Sequence, residues 1–198
     1  MRQDNFRHKA REWDRNSNRV QGAIKIANAI QKKYLFHKEM DVIDFGVGTG
    51  LLGFEVAPFV KKVYGVDTSL AMLEQVKEKN TPELCLEVIH QDIVQKPLEK
   101  EFDALVSSMT LHHVEDLELF FQTIYKNIKK GGFIAIADLE KEDGSFHSSN
   151  EGVFHFGFEK EELVTIVEKA GFSNVAFERI NVIRKEKDYG IFLLSASR

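Results

Sequence analysis

A single cysteine, Cys85, stands among 198 residues, which excludes an internal disulfide framework and a cysteine-based zinc site. Long apolar runs are missing too. Stretches such as Phe133 to Ala137 fall far short of the roughly 20 residues that span a bilayer. Residues 1–13 are charged and polar, with no apolar block, so no signal peptide is expected. These absences together predict a cytoplasmic location. There is no excess of positive charge, and a net charge of −4 argues against a nucleic-acid partner. Repeats, low-complexity segments and a dividing linker are also lacking. With 43% hydrophobic residues, the chain is expected to build one core and one domain over residues 1–198.

What is present alternates between helical and strand periods. Ala23, Ile26, Ala27, Ile30 and Tyr34 form one apolar face of a helix over about residues 18–35. Strands are expected at 42–45, 62–66, 84–89, 102–107 and 133–137, with helices at 51–59 and after Thr68 or Ser69, either of which can cap. A helix over 115–130 carries acids at its start and Lys126, Lys129 and Lys130 at its end, with Gly131 as its stop. Another covers 159–170. The segments 175–184 and 191–197 are separated only by the charged stretch 185–190, too short for a crossover helix, and should pair as an antiparallel hairpin. The pattern is α/β: a doubly wound, Rossmann-like, seven-stranded and mostly parallel sheet ending in that hairpin.

Two segments stand outside this scheme. Residues 1–17 hold Phe6 and the only tryptophan, Trp13, and read as an N-terminal lid or as simple packing on the sheet. Residues 140–157 leave the carboxyl end of a strand, where open α/β sheets place their ligands, and read as an acceptor-side loop.

The chemistry concentrates at Asp44-Phe45-Gly46-Val47-Gly48-Thr49-Gly50. Glycines at alternate positions after a strand let a ligand lie against bare backbone. Residues 48–53 also spell G-x-G-x-x-G, with Asp67 about 20 residues on, so a dinucleotide fits the glycines alone. Asp44 points elsewhere. A buried carboxylate needs a cation or donors, and the ammonium group of a bound amino acid would answer it.

Here the sequence resembles the class I S-adenosylmethionine-dependent methyltransferases, in their small-molecule, ubiquinone-biosynthesis-like branch. Residues 42–50 look like the first motif of that family. Residues 65–73 resemble the second, His90-Gln91-Asp92-Ile93 the third, and 102–114 the fourth with its continuation. Lys129-Lys130-Gly131-Gly132 matches a further habit before strand five. The resemblance implies S-adenosylmethionine as cofactor and S-adenosylhomocysteine as product. It sets Asp44 near the methionine ammonium group, and Gly46, Gly48 and Gly50 along the methionine and ribose. Asp67 would hold the ribose, with Thr68 beside it and Met72 near the adenine. Asp92 and Ile93 would frame the adenine, and Ser107 or Ser108 would face the methionine end.

Methyl transfer is an in-line displacement, so the protein must align the acceptor and, for a poor nucleophile, remove its proton. Histidine suits that task. His112 and His113 after the fourth strand, and His147 and His155 in the long loop, are the candidates, with Asp138 as a base or as a residue that orients the loop. Their spacing matches no metal-ligand pattern, and none is expected to hold a metal. No Asn- or Asp-Pro-Pro-Tyr tetrapeptide, cysteine cluster or added domain is present, which leaves a small organic acceptor, with the oligomeric state open. Two other readings stay open. One is an NAD(P)-dependent oxidoreductase; the other is a non-catalytic S-adenosylmethionine-binding protein.

Overall fold

A computed structural model describes residue 4 and residues 6–198. Part of the expected N-terminal lid, residues 1–3 and 5, lies outside the described residues. Among the described residues, five α-helices and seven β-strands follow a short 3-10 turn at Ala10–Arg15. They are α1 (Ser17–Lys33), β1 (Asp41–Phe45), α2 (Leu51–Val56), β2 (Lys62–Asp67), α3 (Leu70–Lys79), β3 (Leu86–His90) and β4 (Phe102–Ser108). Then come α4 (Leu117–Asn127), β5 (Ile128–Leu139), α5 (Lys160–Lys169), β6 (Ser173–Arg184) and β7 (Asp188–Ser197).

The strands form one sheet in the order β3-β2-β1-β4-β5-β7-β6. The first five run parallel, and β7 enters antiparallel between β5 and β6. Alternation along the strands divides the core in two. Val42, Val63, Ala104, Val106 and Ala135 face α1, α2 and α3, whose Ile26, Ile30, Val56 and Val76 cover them. Ile43, Val66, Leu105, Ile134 and Ile136 face α4 and α5, packing on Phe120, Phe121, Ile124, Leu163 and Val167. This is the doubly wound arrangement the sequence pattern predicts. Among the described residues, no helix is long and apolar enough to cross a membrane.

Two expectations need correction. The helix expected over 115–130 ends at Asn127, and Gly131 is not its stop. Ile128 is already extended and pairs with Phe102, while the Gly131 N–H donates to the Arg198 carbonyl and the Arg198 N–H to that of Gly132. Sheet pairing there outweighs the local helical preference. Lys129, which looked like a helix-end charge, instead meets the Asp103 carboxylate at 2.9 Å. The hairpin turn is also shorter than the stretch 185–190. Asp188, Tyr189 and Gly190 are already strand, paired with Arg184, Ile183 and Val182.

Candidate active site at the carboxyl edge of the sheet

The chain leaves β1 into a turn whose glycines all take positive φ: +66° at Gly46, +54° at Gly48 and +88° at Gly50. An L side chain rarely adopts this conformation, so the glycine pattern is a backbone requirement. Gly46 has a second reason, because a Cβ there would run into the Thr110 side chain. The Gly46 and Val47 N–H groups donate to the Val66 carbonyl at 2.9 and 3.1 Å, tying the turn to β2. Gly50 caps α2, whose Leu52 and Val56 anchor it in the core.

Asp44 is 2% exposed, and its Oδ2 is buried without a hydrogen-bond partner. Burial pushes its carboxyl up to about 8, opposed by the nearby Gly53 backbone N–H and reinforced by the Asp67 charge. A buried carboxylate left in this state suits a cationic group that would restore its charge. Asp67, at the end of β2, accepts the Gly48 N–H at 2.8 Å through Oδ2 and the Ser69 N–H at 2.8 Å through Oδ1. It joins the glycine turn to the start of α3. Burial raises its carboxyl above the ordinary value, against those donors.

The other expected cofactor residues occupy varied places. The Asp92 Oδ1 accepts the N–H groups of Val94 and Gln95 and so closes a turn. Met72 and Ile93 are core residues, 2% and 1% exposed. Thr68 lies on the surface, with its carbonyl 3.0 Å from the His90 ring. The Ser107 hydroxyl donates to the Phe45 carbonyl at 2.7 Å, and Ser108 offers its carbonyl to Thr110 at 3.2 Å.

At the ends of β4 and β5 the structure gathers three of the four candidate histidines. The rings of His112 and His113 lie 4.2 Å apart, and those of His112 and His147 4.8 Å apart. Asp138 lies buried below them. Its Oδ1 accepts His112 Nδ1 at 2.8 Å, and its Oδ2 accepts the His112 backbone N–H at 3.1 Å. Burial would raise Asp138, but the His112 charge and hydrogen bonds hold it below the ordinary carboxylate range. His113 donates from Nδ1 to the Gly152 carbonyl at 2.6 Å, which leaves Nε2 as an acceptor. Burial, then the charge of His112, pushes both His113 and His147 down to about 4, so both are neutral at pH 7. His155 does not join them. Its ring nitrogen meets the Val114 carbonyl at 2.8 Å, and the ring lies against Phe158.

One feature escapes the sequence patterns, and the contacts of the N-terminal segment escape them too. Met109 turns into the left-handed region at φ +56°, a strained conformation for its residue type, placed where β4 meets the histidines. The segment before α1 folds back over the glycine turn. Asp14 accepts the Thr49 hydroxyl at 2.5 Å and pairs with Lys79 at 2.8 Å, while Asp4 accepts the Ser69 hydroxyl at 2.9 Å. Phe6 sets its ring edge against His113 at 5.4 Å. None of these contacts has a local sequence signal.

The sheet order and the glycine turn define a Rossmann-like domain with a nucleotide-cofactor edge. Residues 43–136 match the family described as a methyltransferase domain. A fission yeast protein described as an uncharacterized methyltransferase is 32% identical over 153 residues, covering 68% of this chain and 54% of that protein. Phosphoethanolamine N-methyltransferase 2 of Caenorhabditis elegans is 30% identical, covering 76% of this chain and 36% of its own length. The chain spans about half the length of the curated relatives it matches first. Among solved structures, a complex of the Haloferax volcanii Trm112 methyltransferase activator with its methyltransferase superposes at a TM-score of 0.82 and 16% identity, covering 100% of this chain and 99% of that one. The DhpI–S-adenosylhomocysteine complex does so at 0.76 and 18%, covering 96% and 92%. The chain carries a class I S-adenosylmethionine-dependent methyltransferase domain.

Proposed function

We propose that this chain is an enzyme that transfers the methyl group of S-adenosylmethionine to a small-molecule acceptor by in-line displacement. One observation carries the reading: Asp44, buried under the glycine turn with an unpartnered oxygen and a carboxyl raised to about 8, fits an amino-acid ammonium group. Gly46, Gly48 and Gly50 would lie along the cofactor, and Asp67 would present its remaining acceptor capacity to the ribose. Ser108 would face the methionine end. When bound, the cofactor supplies a sulfonium methyl with its own good leaving group.

The chain's residues would then have three tasks. Asp4 and residues 6–16 act as a lid, latched to Thr49, Ser69 and Lys79 through Asp4 and Asp14, and exclude water. The loop 140–157 walls the acceptor side. His113 and His147, neutral at pH 7, accept a proton from the acceptor at ring nitrogen. Asp138 orients His112 within this group. His155, turned toward Val114, has a packing role.

Calorimetry against S-adenosylmethionine, S-adenosylhomocysteine and NAD tests the cofactor. Binding of NAD alone would sink the proposal in favour of an oxidoreductase. An acceptor screen read by S-adenosylhomocysteine release then tests turnover; binding with no turnover on any acceptor favours a silent cofactor-binding subunit. A second reading of the partner rests on the structural neighbour solved with a Trm112 activator. Co-expression with a Trm112-type protein, read by co-purification, tests it.

A further inference from the structure

Between the lid segment and the loop 140–157, ring contacts run past the histidines in a continuous chain. The rings of Trp13 and Phe6 meet at 5.8 Å, and those of Phe6 and His113 at 5.4 Å. His113 and His147 follow at 6.3 Å, then His147 and Phe146 at 4.9 Å. Each end of the chain of rings carries a cation. The Arg19 guanidinium lies 3.9 Å over the Trp13 ring, and the Lys185 ammonium 3.8 Å over the Phe146 ring.

We propose that the acceptor bears an anionic group, a carboxylate or a phosphate, which binds between Arg19 and Lys185 while its body lies toward His113 and His147. The inference rests on the methyl-transfer reading above. Neither cation has a salt bridge among the described residues. Arg19 reaches only the Trp13 carbonyl, at 3.5 Å, and Lys185 the Phe146 carbonyl, at 2.5 Å. The two ends lie near enough that Arg19 depresses Lys185, after the larger effect of burial. Like charges drawn together repel, and an anion between them reverses that effect. Glu142 is the acid felt at Lys185, but it makes no salt bridge with it: its Oε2 accepts the N–H groups of Gly144, Ser145 and Phe146, and its Oε1 is buried without a hydrogen-bond partner. Lys9 adds a third positive charge felt at His113. Lys9, Arg19 and Lys185 thus bring three cations toward the neutral histidines, against the carboxylates of Asp138, which is tied to His112, and Glu142. Arg and Lys over aromatic rings also keep a fixed geometry that suits a planar or tetrahedral anion.

Trp13 is the only tryptophan, so its emission reports on this site directly. Protein saturated with S-adenosylhomocysteine would be titrated at constant ionic strength with phenyl phosphate, benzoate and neutral benzyl alcohol. A saturable change with phenyl phosphate or benzoate, absent with benzyl alcohol, is expected. The affinity should fall about tenfold in Arg19→Gln and in Lys185→Gln, each removing one charge-assisted contact. Arg19→Gln alters the stacking on Trp13, whereas Lys185→Gln leaves that ring's contacts intact and gives the cleaner reading. The phosphate and carboxylate arms separate the two anion types. Benzyl alcohol binding as well as the anions, no anion binding, or an unchanged affinity in Lys185→Gln overturns the inference. Calorimetry with S-adenosylhomocysteine runs in parallel. Normal binding there with no anion preference removes this inference alone; absent binding removes the methyl-transfer reading.

Discussion

Asp138 holds His112 twice, through the ring Nδ1 at 2.8 Å and the backbone N–H at 3.1 Å. The carboxylate therefore fixes both the turn after β4 and the direction of the imidazole. In Asp138→Asn the amide nitrogen must face one of those two donors, leaving a buried polar group unmatched. A loss of about 2–4 kcal/mol is expected in urea denaturation. Because the folded carboxyl titrates below its ordinary value, this difference is full at neutral pH. It shrinks as the pH falls through the lowered folded value. If Asp138 acts by positioning His112, turnover falls while the affinity for S-adenosylhomocysteine, bound on the glycine side, is unchanged. An equal loss of both would mark general disruption.

His113 and His147 set a second pH dependence. Both are pushed down to about 4 from an ordinary 6.5. Between those values the unfolded chain binds protons that the folded one refuses, so their contribution makes stability fall as the pH drops from 6.5 to 4. His147→Gln should flatten that slope relative to wild type, as read by denaturation at pH 4.5, 5.5 and 6.5. Both rings keep part of their surface in solvent, so the slope per histidine is smaller than full burial would give. A variant slope equal to that of wild type would remove the neutral-histidine assignment.

Asp44 runs with the opposite sign. Its folded carboxyl keeps a proton up to about 8, so its contribution to stability is full below about pH 4 and is lost as the pH rises through 8. Asp44→Asn should therefore gain stability over wild type at pH 9. If a cofactor ammonium group pairs with this carboxylate, binding at pH 6.5 expels close to one proton. Calorimetry in buffers of different ionisation enthalpy reads that number. In Asp44→Asn the release should vanish, and the affinity should fall by about 2–4 kcal/mol. Proton-neutral binding by the wild type would strip Asp44 of its role.

The alternation of strand and helix made the doubly wound sheet legible, because each strand is short and apolar and each helix has a clear inward stripe. The glycine turn and the acids Asp44, Asp67 and Asp92 were legible as a spaced set. What depends on distant pairing was not. Ile128 continues a good helix by local preference, and only its pairing with Phe102 makes it strand. Likewise, His112 and Asp138, or Asp14 and Thr49, meet only because the sheet and the lid segment bring them together. Adjacency in sequence suggested that one histidine of the pair contacts the backbone, but not that His113 would do so at the Gly152 carbonyl while His112 is tied to a carboxylate.

Gly46 tests how closely the turn after β1 is built against the turn after β4. Its φ of +66° penalises an L side chain by about 1–2 kcal/mol. A methyl there also meets Thr110, whose Oγ1 donates to the Gly46 carbonyl at 3.3 Å, and such overpacking adds about 1–3 kcal/mol. Gly46→Ala should accordingly lose about 2–5 kcal/mol by urea denaturation. Adding Thr110→Ala removes the clashing Oγ1 and Cγ2 but not the Cβ or the backbone strain, so the double variant should recover only part of that loss. The coupling is the informative quantity. Additive losses would mean that the two turns relax independently, whereas partial rescue means that β1 and β4 present one preassembled surface.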